Sequence, residues 1–346
     1  MEQYHLQKQN APWRSIPGFV ISAALLWLTF YKSGLRLNDI QLHGEQFCYF
    51  AGAIVVLVFS FWLYSIRAKL IWQNGTKQNA SIQTYDSFII GNFYNSILPG
   101  NLGEGVRAWH FSRKNKLPFT RSLAAIITEK WLDAQVFAVL VIVFFLLKPF
   151  APHYIYYALG NTALAVFILS VVYIIMGKNI RIEKTFWHIV LRFGKAGKVL
   201  YKMYSHTGSH LRNMRQHSSM WKYLVLFMLI FVLNGLQFFL LQKAAGIPAP
   251  IAGMYSSFLI SLSMMIIAFV PSAPGNIGVL HYGVYSAMIL AAQQYAIAPD
   301  VKNLQSYALF GVYVHLSYFI PEVLMGIVFV VKGKKFLFGS AHMKPR

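Results

Sequence analysis

The chain has 346 residues, of which 57% are hydrophobic and 12% charged, whereas soluble domains are usually about 45–50% apolar and about 25% charged. This composition excludes an ordinary water-soluble protein and a disordered chain. The net charge of +21 resides between apolar segments, so anionic lipid rather than nucleic acid is the expected counter-charge. One cysteine, Cys48, and no clustered Cys/His spacing predict neither a disulfide nor a metal site, and we expect no cofactor.

Eight apolar segments are long enough to cross about 30 Å of hydrocarbon as helices. The first follows a basic stretch, as a signal peptide would, but bulky aromatic residues stand where a cleavage site needs small ones. We therefore interpret it as a retained helix. The predicted spans are residues 16–33, 47–66, 120–147, 153–177, 221–242, 253–270, 278–296 and 304–331.

A pentapeptide occurs twice, as Pro99-Gly100-Asn101-Leu102-Gly103 and as Pro274-Gly275-Asn276-Ile277-Gly278. Proline bars a helix at the preceding residue and glycine permits tight turns, so both copies predict breaks in helices at membrane depth. The segment before the first copy, residues 85–98, is too short and polar for a span and predicts a re-entrant half-helix. Paired breaks indicate a transporter's binding site. Alternatively, each copy is a turn between two hairpin helices.

These features predict an all-α fold: a polytopic membrane helix bundle of about eight transmembrane helices plus two re-entrant or broken helices in a duplicated arrangement. Residues 1–346 form a single membrane domain. Its parts are a first half (1–177), a basic connector (178–220), a second half (221–335) and a tail (336–346). Whether the repeat is parallel or inverted depends on whether residues 85–98 cross the membrane.

Basic residues set the expected orientation. The segment 178–222 holds ten of the 31 Lys and Arg residues, and the C-terminal tail is also basic. Both should be cytoplasmic, which places both termini of this multi-pass protein on the cytoplasmic side of the cell inner membrane. An apolar stripe through the connector predicts an interfacial amphipathic helix; the alternative is a solvated connector.

The helix that follows the first break carries Glu104 and Arg107 three residues apart, where they can pair. Its free N–H groups and dipole could hold a phosphate, and Arg107 could form a forked contact with one. Alternatively, Arg107 is an ordinary arginine of the cytoplasmic side.

Two carboxylates, Glu129 and Asp133, share one face of the third predicted span. Intramembrane carboxylates usually face a cavity and mark ion, proton or substrate paths. The alternative is a structural ion pair with Arg107, Arg121 or Lys130.

Other polar residues give weaker signals. Asn92 and Asn95 could donate to a headgroup or satisfy the backbone freed by the break. Glu322 and His315 are minor candidates in the last span. The sequence contains no nucleophile elbow, phosphate loop or HExxH motif, so no catalytic residue is predicted.

Three motifs together resemble the lysylphosphatidylglycerol synthase transmembrane-region family of flippase-like proteins: NxxNxxLPGNLGEGVRAW at 92–109, EKWLD at 129–133 and PSAPGNIGV at 271–279. The resemblance implies eight spans with re-entrant segments. Members fused to a soluble aminoacyl-transferase domain make and flip lysyl-phosphatidylglycerol, whereas stand-alone members are similar to lipid or lipid-linked glycan translocators. No segment of this chain predicts such a soluble domain.

The resemblance and the breaks together give a candidate substrate-binding set. The chain departs from the family at Asn276, where glycine is frequent, and at His281, where glutamate is common. The set is Asn92, Asn95, Gly100, Asn101, Gly103, Glu104, Arg107, Glu129, Asp133, Pro274, Gly275, Asn276, Gly278 and His281.

The favoured function is translocation of an anionic phospholipid, an aminoacyl-phospholipid or a lipid-linked glycan. The alternative is a membrane subunit or domain of a lipid-modifying transferase, similar to a phosphatidylglycerol lysyltransferase or associated with a glycosyltransferase, with Glu129 or Asp133 as general base. A third possibility is a scaffold that recruits a synthase. The expected partners are membrane lipids and a synthase or glycosyltransferase, with no nucleic acid.

Overall fold

A computed structural model describes residues 16–74, 84–98, 102–147, 161, 164, 166–168, 170, 180–216, 219–267, 272–297 and 300–339. In these residues every regular element is helical. The helices are α1 (Ile16–Ser33), α2 (Glu45–Asn74), α3 (Tyr85–Ile97), α4 (Gly103–Lys114), α5 (Phe119–Leu147), α6 (Ile180–Leu191), α7 (Gly194–Gln216), α8 (Ser219–Ala244), α9 (Met254–Ile267), α10 (Val279–Gln294) and α11 (Val301–Gly339). Pro99, Gly100, Asn101, most of the predicted span 153–177 and residues 340–346 lie outside the described residues.

Three of these helices contain segments long and apolar enough to cross a membrane: Glu45–Trp72 in α2, Ser219–Ala244 in α8 and Val301–Val331 in α11. They coincide with predicted spans. Phe19–Ser33 and Met254–Met265 are apolar but shorter. The protein is therefore a polytopic helical membrane protein, as the sequence predicts.

The helices on either side of the first break, α3 and α4, pack against each other. The close approach depends on small residues. A side-chain carbon at Gly91 would lie 2.8 Å from Cβ of Arg107, and one at Gly103 would collide with the Gly91 carbonyl oxygen. Glycine at both positions thus allows the two backbones to meet.

The second broken segment joins α9 to α10 through a short 3-10 turn, Pro274–Asn276. The turn needs left-handed backbone conformations: φ is +65° at Gly275 and +84° at Gly278. Gly278 also lies against the backbone of Ser22 in α1, where no side chain would fit. The hydroxyl of Ser22 accepts a hydrogen bond from the Ala273 N–H at 2.8 Å, which fixes the turn to α1.

The end of α3, which precedes the first break, meets the second break. α3 packs against the 3-10 turn and against α11. An added carbon at Gly275 would lie 3.3 Å from the carbonyl oxygen of Ser96, at the end of α3. The Ser96 hydroxyl donates a hydrogen bond to the carboxylate of Glu322 in α11. Two distant parts of the sequence therefore close on one another inside the bundle.

The basic connector forms two helices, α6 and α7, where the sequence predicts one. The chain turns between them at Gly194, whose φ is +62°. α7 packs against α5 and α2. Large apolar side chains on the outside of the pair remain exposed, among them Phe186, Ile189 and Phe193.

Candidate functional site

A cavity of about 310 Å³ lies in the bundle among α2, α3, α4, α5, α8, α9 and α11. Its lining combines ionisable side chains with aromatic and apolar ones. The polar lining residues are Tyr64, Arg67, Asn92, Glu104, Arg107, Glu129, Lys130, Asp133, Asn234, Ser261, Tyr318 and Glu322. We refer to it as the central cavity.

An ionic network holds one wall of the central cavity together. Glu129 bridges two guanidiniums: its Oε2 is 2.8 Å from Nη2 of Arg107 and its Oε1 is 3.4 Å from Nη2 of Arg67. Arg67 Nη2 also lies 2.8 Å from Oδ2 of Asp133. Glu129 and both arginines are at most 3% exposed. The alternative expectation of an ion pair between Glu129 and Arg107 is therefore confirmed, and Lys130 takes another partner.

The network ends at a more accessible rim formed by Glu104. Its Oε1 lies 2.7 Å from Nζ of Lys130, whose side chain is 57% exposed, and its Oε2 lies 3.4 Å from Nη1 of Arg107. The predicted pairing of Glu104 with Arg107 is thus present. On the inner side, the Tyr223 hydroxyl donates to Oδ1 of Asp133 at 2.6 Å.

Charge is balanced within this network but not within the whole cavity. Arg67, Arg107 and Lys130 match Glu104, Glu129 and Asp133 one for one. A buried pair needs such matching, because an uncompensated buried charge costs several kcal/mol. The fourth lining carboxylate, Glu322, has no cationic partner among the described residues.

Among the charged residues that line the central cavity, Arg67 is the one that the sequence analysis does not single out. The predicted span ends at residue 66, whereas α2 continues to Asn74. The available signal was the apolar sequence that resumes after Arg67, with Ala68, Ile71 and Trp72 all buried. The Nε–H of Arg67 is buried and has no acceptor among the described residues.

A smaller cavity of about 150 Å³ lies where the end of α3 meets the second break. Asn92 and Asn95 of α3 line it from one side, and Gly275 and Asn276 of the 3-10 turn line it from the other. Asn92, Met264, Tyr318 and Glu322 line both cavities. The shared lining connects the ionic network with the place where α3 meets the second break.

The remaining candidates of the second break have structural partners. Nδ1 of His281 accepts a hydrogen bond from the Gly278 N–H at 3.3 Å, and its ring lies 5.0 Å from that of His315. Oδ1 of Asn276 accepts one from the Ser272 hydroxyl at 2.5 Å. Pro274, Gly278 and His281 do not line either cavity, and neither does Gly103, which packs between α3 and α4.

The fold and the site define a class: a multi-pass helical membrane protein whose amphiphilic interior cavity adjoins two interrupted helical segments. Residues 15–299 match the family model described as lysylphosphatidylglycerol synthase TM region. The chain belongs to this family and is thus a membrane protein related to lipid modification or translocation. Comparison with curated proteins and with solved structures finds no match.

Proposed function

We propose that the protein translocates a phospholipid whose headgroup enters the central cavity, and that this headgroup carries both a phosphate and a cationic amine. The observation that carries the proposal is the mixed lining: a charged wall, an apolar wall and a connection to the end of α3 and the second break. Its volume of about 310 Å³ is at the lower end of small-molecule sites, which are commonly about 300–1,000 Å³. A headgroup therefore fits, while the acyl chains remain outside.

Two arginine donors support the phosphate position. The Nε–H of Arg67 has no acceptor among the described residues, and the 3.4 Å contact between Arg107 and Glu104 is long for a charged pair. A phosphate oxygen that accepts from Arg67 and replaces Glu104 on Arg107 would satisfy both donors. Glu104 would keep its shorter contact with Lys130.

Glu322 is the carboxylate best suited to the amine. Glu129 and Asp133 are already paired with Arg67, so neither needs a cation from a ligand. Glu322 lies in both cavities and, in the described part of the chain, contacts only the Ser96 hydroxyl among hydrogen-bond donors. An ammonium group beside it would compensate its charge.

The same geometry disfavours Glu129 and Asp133 as the general base of the transferase alternative. A general base needs an oxygen within reach of the proton it removes. Both oxygens of Glu129 face guanidiniums, and Asp133 accepts from Arg67 and from Tyr223. Movement of a lipid requires no free base, so translocation is the function this site supports best.

The test is lipid exchange between leaflets in proteoliposomes of phosphatidylcholine with labelled phosphatidylethanolamine or phosphatidylglycerol. We expect wild-type protein to accelerate exchange and Glu322→Gln to slow the amine-bearing lipid about tenfold, the effect of one lost charged contact. Glu45→Gln is the matched control, because Glu45 is exposed at the start of α2.

Equal exchange with and without wild-type protein, across these lipids and polyprenyl phosphates, would refute translocation. Acceleration that is the same in wild type and Glu322→Gln would refute the amine position alone. A scaffold predicts that the double substitution Glu129→Gln with Asp133→Asn leaves function intact in cells. Loss of a lipid species on gene deletion, rather than altered sidedness, would favour the transferase.

A further inference from the structure

A second and larger cavity, of about 680 Å³, lies on the opposite side of α5 between that helix and α7. α5 separates the two cavities. Lys130 and Asp133 face the central cavity, whereas Trp131 and Gln135, four residues apart, face the second one. None of the candidate residues from the sequence lines this second cavity.

The lining of the second cavity has an apolar part and a positively charged part. Leu132, Leu211 and Met220 give it an apolar part together with Trp131, while Arg212 and Arg215 lie three residues apart along α7 and provide positive charge. In the described part of the chain, neither guanidinium has an ion-pair or hydrogen-bond partner. Glu183 also lines the cavity, which leaves a net charge of one positive unit.

Two tyrosines of α7 shape the polar side of this cavity. Tyr201 and Tyr204 line it on the same helix as the arginines. Both are held against the buried ring of Trp187 in α6, with ring centroids 5.2 Å and 4.9 Å away. The aromatic cluster fixes α6 to α7, and both tyrosines line the cavity together with Arg212.

The surroundings indicate which ligand fits. Residues 180–216 contain eight Lys and Arg residues against one acidic residue, Glu183. The two helices and the turn between them expose large apolar side chains, including Phe193 in the turn at 73% and Leu200 in α7 at 51%. A basic helix pair with an exposed apolar side is typical of a segment that lies in the interface of an anionic membrane.

We propose that the second cavity binds an anionic phospholipid of the leaflet in which α6 and α7 lie. Arg212 and Arg215 hold the phosphate, and the acyl chains run along the apolar part of the cavity. Phosphate geometry favours such arginine contacts, and the volume exceeds that of the central cavity. This site goes beyond the proposed function, because a lipid can bind there without being transported across the membrane.

The test measures binding to the full chain in detergent micelles, without transport. Phosphatidylglycerol with brominated acyl chains is titrated while tryptophan fluorescence is recorded. We expect saturable quenching, part of which disappears in Trp131→Phe. Arg212→Gln with Arg215→Gln should weaken the apparent affinity for phosphatidylglycerol about tenfold or more. Lys198→Gln with Lys202→Gln is the matched control: it removes two exposed cations of the same helix that do not line the cavity.

Four results would overturn this proposal. Equal weakening by both double substitutions would indicate general surface attraction, since exposed charges attract any anionic micelle. Glycerol phosphate that displaces the lipid at equal concentration would indicate a site for a free anion. Quenching that does not depend on Trp131, or phosphatidylcholine that binds as tightly, would remove the cavity as the site. Because no lipid needs to cross a bilayer, failure here leaves the translocation test unaffected.

Discussion

The two broken segments share a pentapeptide but differ in the chemistry that follows it. After the first, α4 begins with Glu104 and Arg107, which join the ionic network. After the second, α10 begins without a charged residue, and His281 occupies the Gly278 N–H that a ligand would otherwise find free. The repeated sequence thus specifies a backbone break twice, while the side chains beyond it decide which copy is suited to charge.

The largest expected effect tests the ionic network that α4 joins after the first break. Glu129→Gln should lower the free energy of unfolding by about 3–5 kcal/mol, because it leaves Arg67 and Arg107 buried with too little compensating charge. Denaturant or thermal unfolding in detergent measures it. Glu45→Gln, at an exposed position in the first turn of α2, should change the same quantity by at most about 1 kcal/mol. Equal effects of the two substitutions would contradict a structural ionic network.

The next effect tests what the two breaks share. Gly103→Ala and Gly278→Ala should each cost about 3 kcal/mol, because an added carbon collides with backbone atoms at both sites. Gly105→Ala is the control within α4, since nothing lies within 4 Å of its added carbon. It should stabilise slightly, as alanine is the better helix former. A tolerant Gly278 would mean that only the first break needs its glycine.

The effect of pH should come from α7, outside both breaks, where His210 is buried. Burial, and then the nearby Arg121 guanidinium, lowers the pKa of His210 from 6.5 to about 4. The unfolded chain therefore binds a proton that the folded chain rejects, and stability falls as pH decreases from 6.5 to about 4. We expect a loss of about 2 kcal/mol over this interval.

His210→Asn separates this contribution from others. Its amide can replace the ring N–H in the 3.2 Å contact between Nδ1 and the Ile71 carbonyl oxygen, and it does not titrate. Unfolding midpoints measured at several pH values should be flatter for the variant than for wild type. Parallel curves would show that His210 is not the titrating group.

The smallest effect belongs to the second break. His281→Ala removes the side chain that accepts the Gly278 N–H, and loss of a helix cap typically costs about 1 kcal/mol. His188→Ala, at an exposed position in α6, is the control. A loss at His281 as large as that at Glu129 would contradict the view that the two copies differ in electrostatic importance.

Local sequence signals predicted the backbone of the site well. Proline and glycine act on their own chain neighbours, so the duplicated motif indicated the turn at Pro274–Asn276 and the restart of α10 at Val279. The helical spacing of Glu129 and Asp133 placed them on one face of α5, and both contact Arg67. Pro99, Gly100 and Asn101 lie outside the described residues, so their part of the first break stays a prediction.

The pairing of distant charges was less predictable. Charge counting assigns an arginine at the end of an apolar segment to a loop, and it cannot tell that α2 continues past Arg67. The partners of Arg67 lie 62 and 66 residues away. Which cation meets which carboxylate depends on helix packing, so Lys130 beside Glu129 in sequence pairs instead with Glu104.

The position of Arg67 also has a consequence for the synthesis and membrane insertion of the protein. Its carboxylate partner Glu129 is synthesised 62 residues later, and at about 5–20 residues per second this takes about 3–12 s. A nascent α2 therefore reaches the insertion machinery with an arginine that has no counter-ion yet. Because α5 is translated after α2, the ion pair between Arg67 and Glu129 forms only once α5 has emerged from the ribosome.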